Sequence, residues 1–149
     1  MTPRPIVRLD LEASSLSARV TRTLPVLLAE DDDELRRVIA ETLRADGYEV
    51  VEAADGLELL DEIEASIRQW RRDRFALIVT DVRMPELSGL DVLAALHCAA
   101  WRTPVILITA FPSDETRAEA LELGAARVLA KPIDMEDLRA AVAAVLYTT

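Results

Sequence analysis

From Pro25 onward, short apolar runs alternate with stretches whose apolar side chains recur at helical spacing. Pro25–Ala29 is the first run, and a block of acids follows it. Leu35, Val38, Ile39, Thr42 and Leu43 then mark one helical face, which Gly47 stops in the manner of a C-terminal glycine. Tyr48–Ala53 predicts a second strand. Asp55, with Glu58 three residues on, opens a second helix whose buried stripe is expected on Leu60, Ile63 and Ile67. Phe75–Thr80 is a third strand, and Ser88 with Asp91 opens a third helix carrying Val92, Leu93 and Leu96. Pro104–Thr109 is a fourth strand, followed by a helix with Ser113, Asp114 and Glu115 at its positive end and Gly124 after its last turn. Ala126–Ala130 is a fifth strand, and Asp134 caps a last helix with Leu138, Ala141, Val142 and Val145 inward.

Five strand–helix units in succession predict an α/β fold with a parallel sheet covered on both faces. The crossovers are expected to be right-handed. A doubly wound sheet of five strands most often has the order 2-1-3-4-5, as in flavodoxin-like folds. Residues 1–24 stand outside the repeat and are expected to be an N-terminal extension or tail, with residues 25–149 forming the domain. Leu9, Ala13, Leu16 and Val20 give the extension a weak helical stripe.

Composition narrows the function. The 149 residues carry 17 basic and 27 acidic side chains, a net charge of −10. Direct nucleic-acid binding is therefore not expected, because phosphate contacts need a basic face. The charge is uneven: residues 1–24 sum to +2, residues 68–74 to +3, and the remainder to −15. Arg68, Arg71, Arg72 and Arg74 are expected on a solvated helix end, with Trp70 as a small exposed contact point. Sixteen of the basic residues are Arg and one is Lys131. A lone cysteine, Cys98, rules out an internal disulfide framework and is expected as a small buried apolar residue. His97, the only histidine, is expected as a helix-surface or core residue, and Trp101 at a helix end. No apolar run reaches the ~18 residues needed to span a membrane, and acids interrupt the N-terminal segment. A cytoplasmic protein with no membrane association is the expectation.

In an open parallel sheet the ligand crevice lies at the carboxyl ends of the strands. Those ends carry Glu30, Asp31 and Asp32 after strand one, Asp81 after strand three, Thr109 after strand four and Lys131 after strand five. With strands one and three adjacent, several carboxylates share one crevice with a hydroxyl and an ammonium. Carboxylates at close range raise one another's pKa unless a cation neutralises them. A hard divalent cation such as Mg²⁺ is the simplest solution. The same acidic loop argues against a dinucleotide or flavin phosphate site, which needs glycines and donors there. That Asp32 and Asp33 merely cap a helix is the lesser alternative, and Asp81 is not followed by a helix start.

At this point the segments beginning Pro25-Val-Leu-Leu-Ala-Glu-Asp-Asp-Asp, Thr80-Asp-Val-Arg-Met-Pro-Glu, Ile108-Thr-Ala and Ala130-Lys-Pro-Ile resemble the four signatures of response-regulator receiver domains. The resemblance covers about residues 25–147. It implies a two-component (His-Asp) pathway in which Asp81 takes a phosphoryl group from the phosphohistidine of a histidine kinase or phosphotransfer protein. It implies Mg²⁺ as cofactor, held by Glu30, Asp31 and Asp81 and by the backbone carbonyl of Arg83. Thr109 and Lys131 would stabilise the phosphoryl oxygens. The Lys131–Pro132 peptide is expected cis. Phosphorylation would then switch a face built from the fourth helix, fifth strand and fifth helix, read by a downstream protein partner and compatible with a homodimer.

This chain departs from the family pattern in places. Glu30 stands where Asp is more usual. Val128 stands where Tyr or Phe often serves as a rotating switch, so an aromatic switch is not expected. Arg83 and Phe111, each two residues past a site residue, are expected to hinder attacking water and lengthen the phosphorylated lifetime. The chain ends just past the fifth helix, so no output domain is expected within it. Two other readings compete. A receiver-like interaction module that is never phosphorylated is opposed by the complete set of Asp81, Thr109 and Lys131. A phosphohydrolase would need a general acid where Arg83 stands, and a guanidinium cannot fill that role. The expectation is a phosphoacceptor rather than a turnover enzyme.

Overall fold

The computed structural model describes residues 23–110 and 113–147. The helical stripe expected on the N-terminal extension and the side chain of Phe111 lie outside the described residues. The elements in chain order are β1 (Pro25–Ala29), α1 (Asp33–Ala45), β2 (Glu49–Ala53), α2 (Gly56–Arg68), β3 (Leu77–Asp81), α3 (Gly89–Cys98), β4 (Val105–Thr109), α4 (Asp114–Glu122), β5 (Arg127–Ala130) and α5 (Met135–Tyr147). The strands form one parallel sheet in the order β2-β1-β3-β4-β5. The expected doubly wound fold is thus present, with element ends moved by one or two residues.

Strand periodicity divides the core in two. Leu27, Ile78 and Leu107 face a layer formed with Leu59 and Ile63 of α2 and Val92, Leu93 and Leu96 of α3. Val26, Leu28, Val79, Ile106 and Ile108 face the opposite layer, with Ile39 and Leu43 of α1 and Leu138 and Val142 of α5. A sheet buried on both faces explains why β3 and β4 are buried at every position and open on apolar runs, Leu77–Val79 and Val105–Ile108, rather than alternating.

The helix starts follow the sequence signals. The Asp32, Asp55, Ser88 and Ser113 side chains each accept from a backbone N–H in the first turn, and Ser88 and Asp91 complete a reciprocal capping box. The Asp134 carboxylate accepts from the Glu136 and Asp137 N–H groups at the start of α5. Helix ends α1 to α4 share one motif, in which the two residues beyond the cap donate back to carbonyls of the last turn. The left-handed residue it needs is Gly47 after α1 and Gly124 after α4, but Trp70 (φ 57°) after α2 and Ala100 (φ 55°) after α3.

Two expectations are corrected. The buried stripe of α2 is Leu59, Ile63 and Ser66 rather than Leu60, Ile63 and Ile67; Ile67 is 49% exposed. Gly56 sets this register: a Cβ there would lie 2.2 Å from the Leu87 carbonyl oxygen, so Gly56 faces the β3–α3 loop and residues 59, 63 and 66 follow it inward. Ser66 is tolerated because its hydroxyl donates to the Glu62 carbonyl (3.0 Å). Cys98 is exposed rather than buried, because Val92, Leu93 and Leu96 fix the inward face of α3 and turn it away.

Candidate functional site

Parallel pairing brings the strand ends to one edge. Ala29 lies opposite Thr80, Asp81 opposite Ile108, and Thr109 opposite Ala130. Glu30 and Asp81 therefore emerge side by side, with Thr109 on the next strand and Lys131 at the end of the one beyond, its side chain reaching back across the end of β4. The Lys131 N–H donates to the Thr109 carbonyl (2.8 Å), which ties the two chain segments at the edge. The Lys131–Pro132 peptide is cis, as expected.

The centre is charged and largely closed to solvent. Asp81 is 3% exposed, Glu30 is fully buried, and Thr109 is buried at the end of β4. The Lys131 ammonium donates to Asp81 Oδ2 at 2.8 Å and, more weakly, to Glu30 Oε2 at 3.4 Å. Asp81 Oδ1 accepts from the backbone N–H of Arg83 (3.2 Å). Glu30 Oε2 also accepts from the Asp32 N–H (3.0 Å). Glu30 Oε1 lies 3.2 Å from the ammonium as an ion pair but has no hydrogen-bond donor among the described residues.

The electrostatics follow from burial. Desolvation pushes the Glu30 carboxyl up to about 6; the Asp81 charge adds to this, while the Asp32 N–H and Lys131 oppose it. Burial alone would lower the Lys131 pKa, but the Asp81 hydrogen bond and the charges of Asp81 and Glu30 outweigh it, so its pKa is raised. One ammonium thus serves two buried carboxylates, with a third carboxylate, exposed Asp31, at the rim. Ligand oxygens of Glu30, Asp31 and Asp81 lie within 4.8 Å of one another. Three oxygen donors in excess of one cation, with a buried oxygen lacking a donor, fit a hard divalent ion such as Mg²⁺.

All six sequence-expected site residues lie at this edge: Glu30, Asp31, Asp81, Arg83, Thr109 and Lys131. Asp32 is the α1 cap, and Asp33 pairs with Arg36 instead of joining the centre. Two contributors were not expected from sequence. Arg36 donates to the Glu30 carbonyl (2.8 Å) and bridges to Glu52 on β2, fixing the end of β1. Gly89 opens α3 against the end of β3: a Cβ there would lie 2.3 Å from the Asp81 carbonyl oxygen. Its N–H donates to the Val82 carbonyl (2.9 Å), closing the β3–α3 loop. The Gly89 signal was the glycine directly after the Ser88 cap, which only a close backbone approach requires.

A doubly wound sheet whose carboxyl edge joins an aspartate, a lysine and an acid pair defines a receiver-type signalling domain. Comparison with known proteins names the family: residues 26–143 match the family model "Response regulator receiver domain". The chain belongs to that family. It is 39% identical over 121 residues to the transcriptional regulatory protein CpxR of Escherichia coli (strain K12), covering 81% of this chain and 48% of that protein. The chain spans about half the length of CpxR and about a quarter of longer curated relatives such as the regulatory protein AtoC of Escherichia coli (strain K12). The receiver domain of Francisella response regulator 1452 is 30% identical, with a TM-score of 0.75 over 83% of this chain and 97% of that one. The chemotaxis protein CheY4 of Vibrio cholerae is 31% identical, with a TM-score of 0.73 over 84% of this chain and 100% of that one.

Proposed function

We propose that Asp81 is the phosphoacceptor of this receiver and that the carboxyl edge supports its own phosphorylation. The observation that carries the reading is the Lys131 ammonium held 2.8 Å from Asp81 Oδ2 beside a buried Glu30 oxygen that has no hydrogen-bond donor among the described residues. An Asp81 oxygen attacks the phosphorus of a phosphohistidine in a kinase or phosphotransfer protein. The O–P bond forms as the P–N bond breaks, and the electron pair returns to the imidazole nitrogen. Lys131 stabilises charge developing on the phosphoryl oxygens, and Thr109 donates its hydroxyl to one of them. The Arg83 N–H holds Asp81 Oδ1, which orients the carboxylate. Glu30, Asp31, Asp81 and the Arg83 carbonyl would hold Mg²⁺, which supplies positive charge against the crowded carboxylates and the incoming phosphoryl group.

The output surface is the face of α4, β5 and α5, read by a downstream protein. Val128 on β5 is a small buried aliphatic, so the face changes without a rotating aromatic. Residues 25–149 form this receiver domain, and residues 1–24 are an extension of it. The domain works as a phosphoacceptor, not a turnover enzyme, and in the cytoplasm; among the described residues no helix is long and apolar enough to cross a membrane. The test is incubation with a small phosphodonor with and without Mg²⁺, followed by intact mass. A Mg²⁺-dependent phosphorylated species that is absent in Asp81→Asn is the expected result. No modification with any donor would favour an unphosphorylated interaction module.

A further inference from the structure

We propose that the amino edge of the sheet, opposite Asp81, carries a docking cleft for an acidic peptide segment of a partner protein. The cleft lies between the α2–β3 and α3–β4 loops and has a volume of about 450 Å³. Arg72 from one loop and Arg102 from the other line it together with Asp73. Arg71 and Arg74 stand in the same loop as Arg72, Arg68 ends α2 just before it, and Asp73 is the only acid in residues 68–76 and 99–104. On a chain of net −10 this is a concentrated positive patch. Among the described residues only Arg74 of the five has an ion-pair partner, Glu62 (3.1 Å).

The cleft is built rather than merely charged. The Arg72 guanidinium lies 4.9 Å from the Trp101 ring centroid and donates to the Ala99 carbonyl (3.2 Å), so it bridges the two loops. Trp101 is fixed by its Nε1–H donating to Thr103 Oγ1 (2.9 Å), and Thr103 in turn donates to the Phe75 carbonyl (3.3 Å). Beside this wall Trp70 is 93% exposed and stands in the left-handed conformation, next to half-exposed Ile67. A large aromatic held in a backbone conformation that favours glycine, with its ring in water, has no packing role in this fold.

The chemistry selects the occupant. Guanidiniums held in place recognise carboxylates, and the uncovered indole with Ile67 offers a seat for an apolar side chain. A nucleic acid would run its phosphates past the edge of the patch onto a strongly acidic remainder, whereas a short acidic segment ends within it. The cleft lies at the other end of the strands from Asp81, so an acidic partner can be held while phosphoryl transfer proceeds.

The probe is a short dye-labelled peptide rich in Glu and Asp around a Leu-Phe pair, titrated into the full chain by fluorescence anisotropy. A charge-reversed peptide, a duplex oligonucleotide and phosphatidylserine vesicles are titrated in parallel. Binding of the acidic peptide is expected to weaken with added salt, to fall at least tenfold in Arg72→Glu/Arg102→Glu and several-fold in Trp70→Ala, and to be unchanged in Asp81→Asn. Retained phosphorylation of the Trp70→Ala chain shows that this variant folds. Equal binding of the charge-reversed peptide, tighter binding of oligonucleotide or vesicle, self-association through the patch, or peptide binding unaffected by these variants would overturn the proposal.

Discussion

The two edges of one sheet handle charge in opposite ways. At the carboxyl edge, two carboxylates are buried around a single ammonium, and one buried oxygen has no hydrogen-bond donor among the described residues. At the amino edge, arginines lie over aromatic rings or point into solvent, where their charge costs little. The fold itself needs neither arrangement. The difference teaches that the carboxyl edge concentrates buried negative charge, which is the arrangement that the proposed cation and phosphoryl chemistry would use.

The largest expected effect separates the edges by chemistry. Lys131→Met should slow phosphorylation from a small phosphodonor by about 10²–10³-fold, because a preorganised charge at the transferring group is lost. A matching removal of charge at the amino edge, Arg102→Ala, should leave that rate unchanged. A comparable loss from both would break the comparison.

Gly89→Ala comes next. Its Cβ would sit 2.3 Å from the Asp81 carbonyl oxygen, a backbone atom that cannot turn aside. Overpacking against backbone should destabilise by about 2–3 kcal/mol in urea unfolding and shift the Asp81 segment, lowering phosphorylation as well.

Glu30→Gln should do the reverse to stability. The Glu30 carboxyl is raised from 4.5 to about 6, so the folded state binds its proton more tightly than the unfolded state does. Stability without Mg²⁺ therefore declines as pH rises through that window, and the full cost is present above pH 6. A displacement of that size corresponds to about 2 kcal/mol. Glu30→Gln should raise Tm in a chelator at neutral pH, lose the advantage as pH falls below 4.5, and weaken Mg²⁺ binding. A lower Tm at neutral pH would contradict the claim that the buried Glu30 charge is costly.

The smallest effect lies at the amino edge. Ala100 occupies the left-handed position that Gly47 and Gly124 fill elsewhere. A non-glycine residue there costs roughly 1–2 kcal/mol, part of which is offset by the greater freedom of glycine in the unfolded chain. Ala100→Gly should stabilise by about 0.5–1 kcal/mol, read as a higher urea midpoint at unchanged slope.

Much of this was legible in the sequence, and for physical reasons. The caps Asp55, Ser88 and Asp134 and the terminators Gly47 and Gly124 act within a few residues, so local pattern sufficed to find them. The strand-end residues Glu30, Asp31, Asp81, Thr109 and Lys131 were legible because strand ends in a parallel sheet converge wherever the order is known, whereas Arg83 and the expected roles came from the family resemblance. What escaped depended on contacts distant in sequence. Adjacent Leu59 and Leu60 fit two helical phases equally, and only the approach of Gly56 to Leu87 decides between them. Arg36 reaches back to the Glu30 carbonyl from within what reads as a solvated helix face. Cys98 follows an apolar helix but falls beyond its inward stripe. Trp70 and Ala100 stand where a glycine would have announced the turn, so the ends of α2 and α3 carried no such signal.

The central claim is that Asp81 receives the phosphoryl group, and residue-level mapping tests it most directly. The chain is phosphorylated with a small donor in Mg²⁺, the acyl phosphate is trapped by borohydride reduction, and the peptides are sequenced by mass spectrometry. The account predicts reduction at Asp81 alone, with none when Mg²⁺ is chelated. Label at Glu30, Asp31 or another residue while Asp81 stays unmodified would contradict it.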